Sequence, residues 1–401
     1  MLSYAKKSLN LEAEAILDPA IEFKHPLSEN WRNPKSIFLT GATGFLGAYL
    51  LDELLEKTTA NIYCLVRCSH PEAGKQRLKS NLEFYSLWEP KFSDRIIPVV
   101  GDLSQPMLGC SQEQFSQLAE KLDVIYHSAA LVNFFYPYST LKPSNVKGTE
   151  EIIRLAGQAK TKPVHFISTV AVFFSQANYP DRKIKETDRF NLNSLKGGYK
   201  QSKAVAECLI NIAQERGMPA CIYRVSRITG HSETGITGNL KDTLWSAIKI
   251  CIELGKFPDV EAMENLVPVD YVSRAIVHLS MEEKSNGTAF QLSNIQPISW
   301  KELIKQIGDL GYNLEKITYE DWLLELKKYA SSSRKKELEF WSRMLSSSKI
   351  KLFSKKPQFD ASNAIAALTN TSITCPSVDR ELLKTYFEYF QKIGYLPRGP
   401  T

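Results

Sequence analysis

Apolar residues in the first two thirds of the chain come in short runs separated by longer amphipathic stretches. The runs are Ser36–Thr40, Asn61–Val66, Ile96–Gly101, Val124–His127, Val164–Ser168 and Ala220–Arg224. Each is too short for a helix, and each is followed by a segment with helical periodicity. A strand buried on both faces reads as a continuous apolar run, and strands that alternate with helices predict a parallel sheet covered on both sides. After about Thr229 the pattern changes. Asn239 to Gly255 reads as a helix and Pro258 interrupts it. Val267–Leu279 returns to sheet-packing character, and a further strand is expected at Ala289–Leu292. Ser299 to Thr401 is mainly helical, with a Ser/Lys-rich interruption at Ser346–Lys356. The division expected is a helical lead-in over 1–35, a sheet domain over 36–235 that reclaims 265–295, and a smaller domain from 236–264 and 296–401.

The turn after the first run carries the strongest chemical signal. Gly41, Gly44 and Gly47 stand at three-residue spacing between an apolar strand and the helical stretch Ala48–Glu56. Gly41 permits a tight turn, Gly44 lets the backbone approach a diphosphate, and Gly47 lets helix and strand pack closely. The helix N-terminus then turns its N–H groups toward the phosphates. The fold class is therefore α/β: a Rossmann-type doubly wound parallel sheet with a smaller, mainly helical C-terminal substrate domain. In NAD-binding units an acid often ends the second strand and holds the ribose 2′-hydroxyl. Here that position is Arg67, with Arg77 downstream, and a guanidinium fork suits a 2′-phosphate. NADPH is the cofactor expected. Asp102, after the third strand, can hold the adenine amino group or cap a helix.

Tyr-x-x-x-Lys occurs at Tyr138/Lys142, Tyr179/Lys183, Tyr199/Lys203 and Tyr312/Lys316. Tyr138 lies between two prolines, Pro180 forbids a regular helix through the second pair, and Tyr312 lies beyond the sheet. Only Tyr199 and Lys203 open a plausible helix on which i and i+4 share a face. Thr169 stands just past the fifth strand, where it can join them over the nicotinamide. Hydride addition to a carbonyl leaves an alkoxide that needs a proton. A lysine cation would lower the phenol pKa, and the threonine would hydrogen-bond the oxygen. Thr169, Tyr199 and Lys203 are the expected catalytic set.

Composition narrows the class. The 401 residues are 43% hydrophobic and 23% charged, as in globular proteins. No run of 18 apolar residues suggests a membrane span, and the first residues have no signal core. The 7 cysteines form no Cys-x-x-Cys pair, which argues against a zinc site and for a reducing, cytoplasmic setting. The net charge of +6 is mild. Basic residues cluster at Arg334–Lys336 and Lys349–Lys356 without the interleaved aromatics of a nucleic-acid groove. They read as a solvated face or a docking surface for an acidic partner.

Thr40–Gly47, Gly101-Asp102-Leu103, His127-Ser-Ala-Ala130, Asn145–Thr149, Thr169, Tyr199/Lys203 and Val267–Tyr271 together resemble the extended short-chain dehydrogenase/reductases. Leu11–Ile21, Leu65-Val-Arg67 with Arg77, and Lys356–Asp360 resemble thioester reductase domains, which close non-ribosomal peptide synthetases, carboxylic acid reductases and aminoadipate reductases. The resemblance adds Thr43, Phe45, Leu46, Leu103, Ser128, Ala129, Ala130 and Asn145 to the expected cofactor contacts. It implies a substrate carried on the phosphopantetheine arm of an acyl or peptidyl carrier protein and released as an aldehyde, with further reduction to an alcohol open. A stand-alone enzyme and an excised module are both compatible with the chain. A fatty acyl-CoA reductase, a small-molecule reductase of the same fold and a non-catalytic NADP-sensing protein are the alternatives. The chain departs from many superfamily members at Tyr223–Gly230, which lacks Pro-Gly after the arginine, so contacts at Val225 and Ser226 are not carried over.

Overall fold

The computed structural model describes residues 9–176, 183–333, 335–346, 353 and 356–397. Its frame is a sheet of seven parallel strands: β1 (Ser36–Thr40), β2 (Asn61–Val66), β3 (Ile96–Val100), β4 (Val124–His127), β5 (Val164–Thr169), β6 (Ala220–Val225) and β7 (Ala289–Leu292). Their order is β7-β6-β5-β4-β1-β2-β3. The order reverses between β1 and β4, and a ligand crevice is expected outside the carboxyl ends of strands at such a point. Every run read as a strand forms one, within a residue at either end.

Helices cover both faces. On one lie α1 (Phe45–Lys57) and α2 (Pro71–Phe84); on the other lie α3 (Gln112–Lys121), α4 (Gly148–Gly157) and α5 (Gly198–Glu215). Strand residues alternate between the two cores. Ile37 and Leu39 pack with Leu50, Leu54 and Leu78, while Phe38 packs with Phe115, Ile152 and Leu209. A third core is built by α6 (Thr243–Leu254), α8 (Trp300–Asp309), α9 (Tyr319–Ser333), α10 (Lys336–Ser346) and α11 (Arg380–Lys392), around Trp245, Trp300, Trp322 and Phe390. Between α6 and α8 the chain returns to the sheet for α7 (Val269–Met281), which packs on α1, and for β7.

Three expectations need correction. Residues 9–35 form turns, not helix. Pro19, Pro26 and Pro34 interrupt any run, and the Arg216 guanidinium takes the Leu17, Asp18 and Ile21 carbonyls at 3.1, 2.7 and 3.0 Å. The segment Gln358–Leu368 does not stay with the third core. Gln358–Phe359 pairs in parallel with Lys183–Ile184, and Ala364 and Leu368 join the core under α1 and α7. Glu186 fastens it by accepting N–H groups of Gln291 at 2.8 Å and Asn363 at 2.6 Å.

Lys356, finally, is no docking cation. Its side chain is only 17% exposed and pairs with Glu264, which also accepts from Arg227 Nε at 3.1 Å; Arg227 in turn pairs with Asp242. Burial outweighs the pull of Glu264 and lowers the Lys356 pKa. Arg334, Lys349, Lys351 and Lys355 lie outside the described residues. Among the described residues no helix is long and apolar enough to cross a membrane, and no cluster could hold a metal ion.

Candidate active site

The turn between β1 and α1 has the shape the glycines imply. Gly41 has φ +85°, and a Cβ there would lie 2.9 Å from the Ala129 nitrogen at the end of β4. A Cβ on Gly47 would stand 1.9 Å from the Gly41 carbonyl oxygen, so helix and turn pack at backbone distance. Gly44 is the N-cap of α1. It offers no side-chain cap, and no acidic residue occupies the first turn. The leading N–H groups of α1 are thus left for an anion, which fits the diphosphate of a dinucleotide. Thr43, Phe45 and Leu46 line this turn and are partly exposed, and Phe45 packs at 5.4 Å from Tyr85.

Asn81 on α2 supports the turn from outside. Its Nδ2 donates to the Ala42 carbonyl at 3.1 Å and the Gly44 carbonyl at 3.3 Å. No local pattern marks this residue, because its partners are backbone atoms of another element.

At the end of β2, Arg67 is exposed, and among the described residues its guanidinium makes no hydrogen bond or close ion pair, with Asp102 nearby. Arg77 Nη1 donates to the Arg67 carbonyl at 2.8 Å and so fixes the strand end. Asp102 forms a turn in which Ser104 donates both its N–H, at 2.9 Å, and its hydroxyl, at 2.8 Å. Burial opposes ionisation there, but Ser104 and the nearby Arg67 prevail and hold the carboxyl below its usual range. Leu103 is buried against Gly148. Ser128, Ala129 and Ala130 follow β4 and are partly exposed.

A chain of hydrogen bonds ties the ends of β1 and β4 to α5. The Ala129 N–H donates to Thr40 Oγ1 at 3.1 Å, and Thr40 bonds His127 Nδ1 at 2.8 Å. His127 Nε2 meets Thr149 Oγ1 at 3.0 Å, whose hydroxyl donates to the Asn145 carbonyl at 2.7 Å. This pattern assigns the imidazole a proton on Nε2 only. Burial and the nearby Lys203 hold it neutral, with its pKa pushed down to about 3.

Asn145 lies in a widened turn, Pro143–Lys147, and is buried. Its Oδ1 accepts the Leu131 N–H at 2.7 Å, and its Nδ2 donates to the Leu131 carbonyl at 3.1 Å and Ser202 Oγ at 3.0 Å. Both amide protons are engaged within the protein. Asn145 therefore clamps the loop after β4 onto α5, where a cofactor contact was expected.

Tyr199 and Lys203 lie one turn apart on α5. Lys203 Nζ donates to the Ile167 carbonyl at 2.8 Å, two residues before Thr169, and sits 4.1 Å from the Phe166 ring centroid. Thr169 Oγ1 accepts the Ala171 N–H at 3.2 Å, which leaves its hydroxyl proton to donate. Gly198 makes the start of α5 possible, since a Cβ there would come within 2.4 Å of the Tyr136 carbonyl.

The electrostatics differ from expectation. Burial raises the Tyr199 phenol to about 12, and it lowers Lys203 to about 7 although Glu207 pulls the other way. The phenol is thus a protonated donor at neutral pH. The lysine can give up its proton within the working range.

Beneath this set, Glu207 takes Ser168 Oγ at 2.5 Å and Arg224 Nε and Nη2 at 2.9 and 2.7 Å. This buried ion pair locks β5, β6 and α5 in register. The other tyrosines of the repeated spacing are occupied. Tyr138 donates to Glu14 at 3.0 Å and Tyr312 to the Pro397 carbonyl at 2.8 Å; Tyr179 lies outside the described residues.

Sheet order and a glycine cradle at the carboxyl ends of the strands define a domain built for a nicotinamide cofactor. The profile of the male sterility protein family matches residues 39–276. A component of the linear gramicidin synthase of Brevibacillus parabrevis is 42% identical over 96% of this chain and 8% of that protein. L-2-aminoadipate reductase of Saccharomyces cerevisiae is 33% identical over 94% of this chain and 29% of its own length. Among solved structures, the terminal R domain of the myxalamid PKS-NRPS pathway is 41% identical, with a TM-score of 0.91 and coverage of 97% of this chain and 99% of that one. The chain belongs to the extended short-chain dehydrogenase/reductases, in the branch of terminal thioester reductase domains. It spans less than a third of the length of either of these two curated relatives.

Proposed function

We propose that this domain uses NADPH to release an acyl or peptidyl group, held as a thioester on a carrier protein's phosphopantetheine arm, as an aldehyde. The observation that carries the reading is the glycine cradle at the switch point of the sheet, in a chain similar along nearly its whole length to a synthetase R domain, with Tyr199 and Lys203 one turn apart on α5 and Lys203 bonded to the Ile167 carbonyl two residues before Thr169. When bound, the nicotinamide supplies hydride to the thioester carbonyl. Arg67 favours NADPH because its exposed guanidinium can take a 2′-phosphate, and Arg77 steadies the strand end that carries it. The first turn of α1 binds the diphosphate. Tyr199 donates its proton to the carbonyl oxygen, and Thr169 donates a hydrogen bond to the same atom. Lys203, poised near neutrality, returns a proton toward the phenol. The resulting hemithioacetal collapses to the aldehyde and the carrier thiol. A reducing, cytoplasmic setting suits this chemistry and the free cysteines.

The test is incubation of the protein with NADPH and an acyl-loaded carrier protein, followed by mass analysis of carrier and released product. Stoichiometric free thiol on the carrier together with aldehyde or alcohol is expected. Faster turnover of the matching acyl-CoA, or no thioester-dependent oxidation of NADPH, would overturn the reading.

A further inference from the structure

The loop after β4 is apolar, exposed and held stiffly. Leu131, Val132, Phe134, Phe135 and Tyr136 are 38, 57, 50, 43 and 46% exposed. A contiguous apolar stretch left in water needs a reason, and a ligand or partner is the usual one. The backbone is fixed at both ends of the stretch. Asn145 clamps Leu131 through its N–H and its carbonyl. Asn133 Oδ1 accepts the N–H groups of Phe135 at 2.9 Å and Tyr136 at 3.0 Å. These four backbone groups are satisfied internally, and the side chains turned outward are mainly carbon.

Its position is specific. The Phe134 ring stands edge-on to Tyr199, with centroids 5.2 Å apart. Phe135 meets Phe340 of α10 edge-on at 5.1 Å, and Phe340 is itself 38% exposed. Beside the loop opens a cavity of about 520 Å³, lined in part by Phe134, Phe135, Tyr136, Gly197 and Gly198, which begins one residue from Tyr199. This volume falls within the roughly 300–1,000 Å³ usual for small-molecule sites.

Building on the thioester-reductase reading, we infer that the loop 131–136 and Phe340 form an apolar wall that selects thioesters bearing a long apolar acyl chain. A carbonyl held by Tyr199 has two substituents. One is the amide-rich pantetheine arm, for which a mainly carbon wall provides few hydrogen bonds. The other is the acyl chain, which gains by leaving water against Phe134 and then Phe135 and Phe340. Phe340 lies on the outer side of α10, a helix of the third core, so the wall spans the sheet domain and the helical unit.

The experiment compares kcat/KM for S-decanoyl- and S-acetyl-pantetheine with NADPH, in the wild type and in Phe135→Ala and Phe340→Ala. The wild type is expected to favour decanoyl by 100-fold or more, since each fully seated methylene adds up to about four-fold. Each variant is expected to lower the decanoyl-to-acetyl ratio by about ten-fold. A wild-type ratio near one, or variants that slow both substrates by the same factor, would overturn the inference while leaving thioester reduction standing. Failure of both thioesters to drive NADPH oxidation would overturn the reading on which it rests.

Discussion

Two side chains separate cofactor choice from chemistry. Arg67 is exposed at the end of β2, while its carbonyl is held by Arg77. Arg67→Ala should therefore leave the strand end in place and remove only the charge-assisted contact. NADPH binding should weaken by about 1–3 kcal/mol and NADH binding much less, as read by fluorescence titration of both. Equal losses would show that the arginine does not read the 2′-phosphate. Tyr199 tests the other half. Tyr199→Phe keeps the ring and its edge contact with Phe134 but removes the proton that burial keeps on the phenol up to about pH 12. Single-turnover reduction should fall about 100-fold or more with NADPH affinity nearly unchanged. The same change at Tyr138 or Tyr312 should leave the chemical step intact, since those hydroxyls serve Glu14 and Pro397.

Among the elements, the junction of β1 and α1 tolerates least. A methyl group on Gly47 would meet the carbonyl of Gly41, which is backbone and cannot swing aside. Gly47→Ala should cost about 1–3 kcal/mol of stability and weaken cofactor binding together, because α1 must move off the turn. Gly308, on α8 with nothing within 4 Å of its would-be Cβ, is the matched control. There alanine should stabilise by about 0.5–1 kcal/mol, and urea melts of the two variants should move in opposite directions.

The strands and this junction were legible because their causes are local. Burial on both faces writes a continuous apolar run, and close helix–strand packing writes glycines at fixed spacing. What could not be read depends on partners far along the chain. Asn81 and Asn145 act on backbone atoms of other elements, and Lys356 meets Glu264, 92 residues away, so its charge looked like surface. Burial also decided the sign at Tyr199. A motif places a lysine one turn away but says nothing about the water removed from both groups.

At the scale of the whole molecule, acid should be a distinct threat. His127 and His165 are buried and kept neutral, each pushed down to about 3, chiefly by burial. In the unfolded chain they titrate near 6.5. Between those values the unfolded state binds protons that the folded state refuses, so stability falls as pH falls, by about 1.4 kcal/mol per unit for each imidazole. Asp52, raised to about 7 by burial and by its acidic neighbours, has the opposite sign over the same range. The difference between variants isolates one group. His165→Asn should flatten the slope of urea-derived stability between roughly pH 5.5 and 4.5 by about 1.4 kcal/mol per unit. An unchanged slope would mean that His165 is charged in the folded protein.

The path of the chain between its cores has an evolutionary corollary. It leaves the sheet after β6 to build α6, comes back for α7 and β7, departs for α8 to α10, lays Gln358–Leu368 against the sheet edge, and departs once more for α11. The sheet domain and the helical unit are therefore interleaved in the gene. A recombination event between α6 and α10 would splice pieces of both parts to foreign partners and break the Glu186 fastening and the Arg227–Glu264–Lys356 cluster. New specificities in such a domain are then expected to arise by point changes on its inner walls, or by exchange of the domain whole, rather than by trading the helical unit alone.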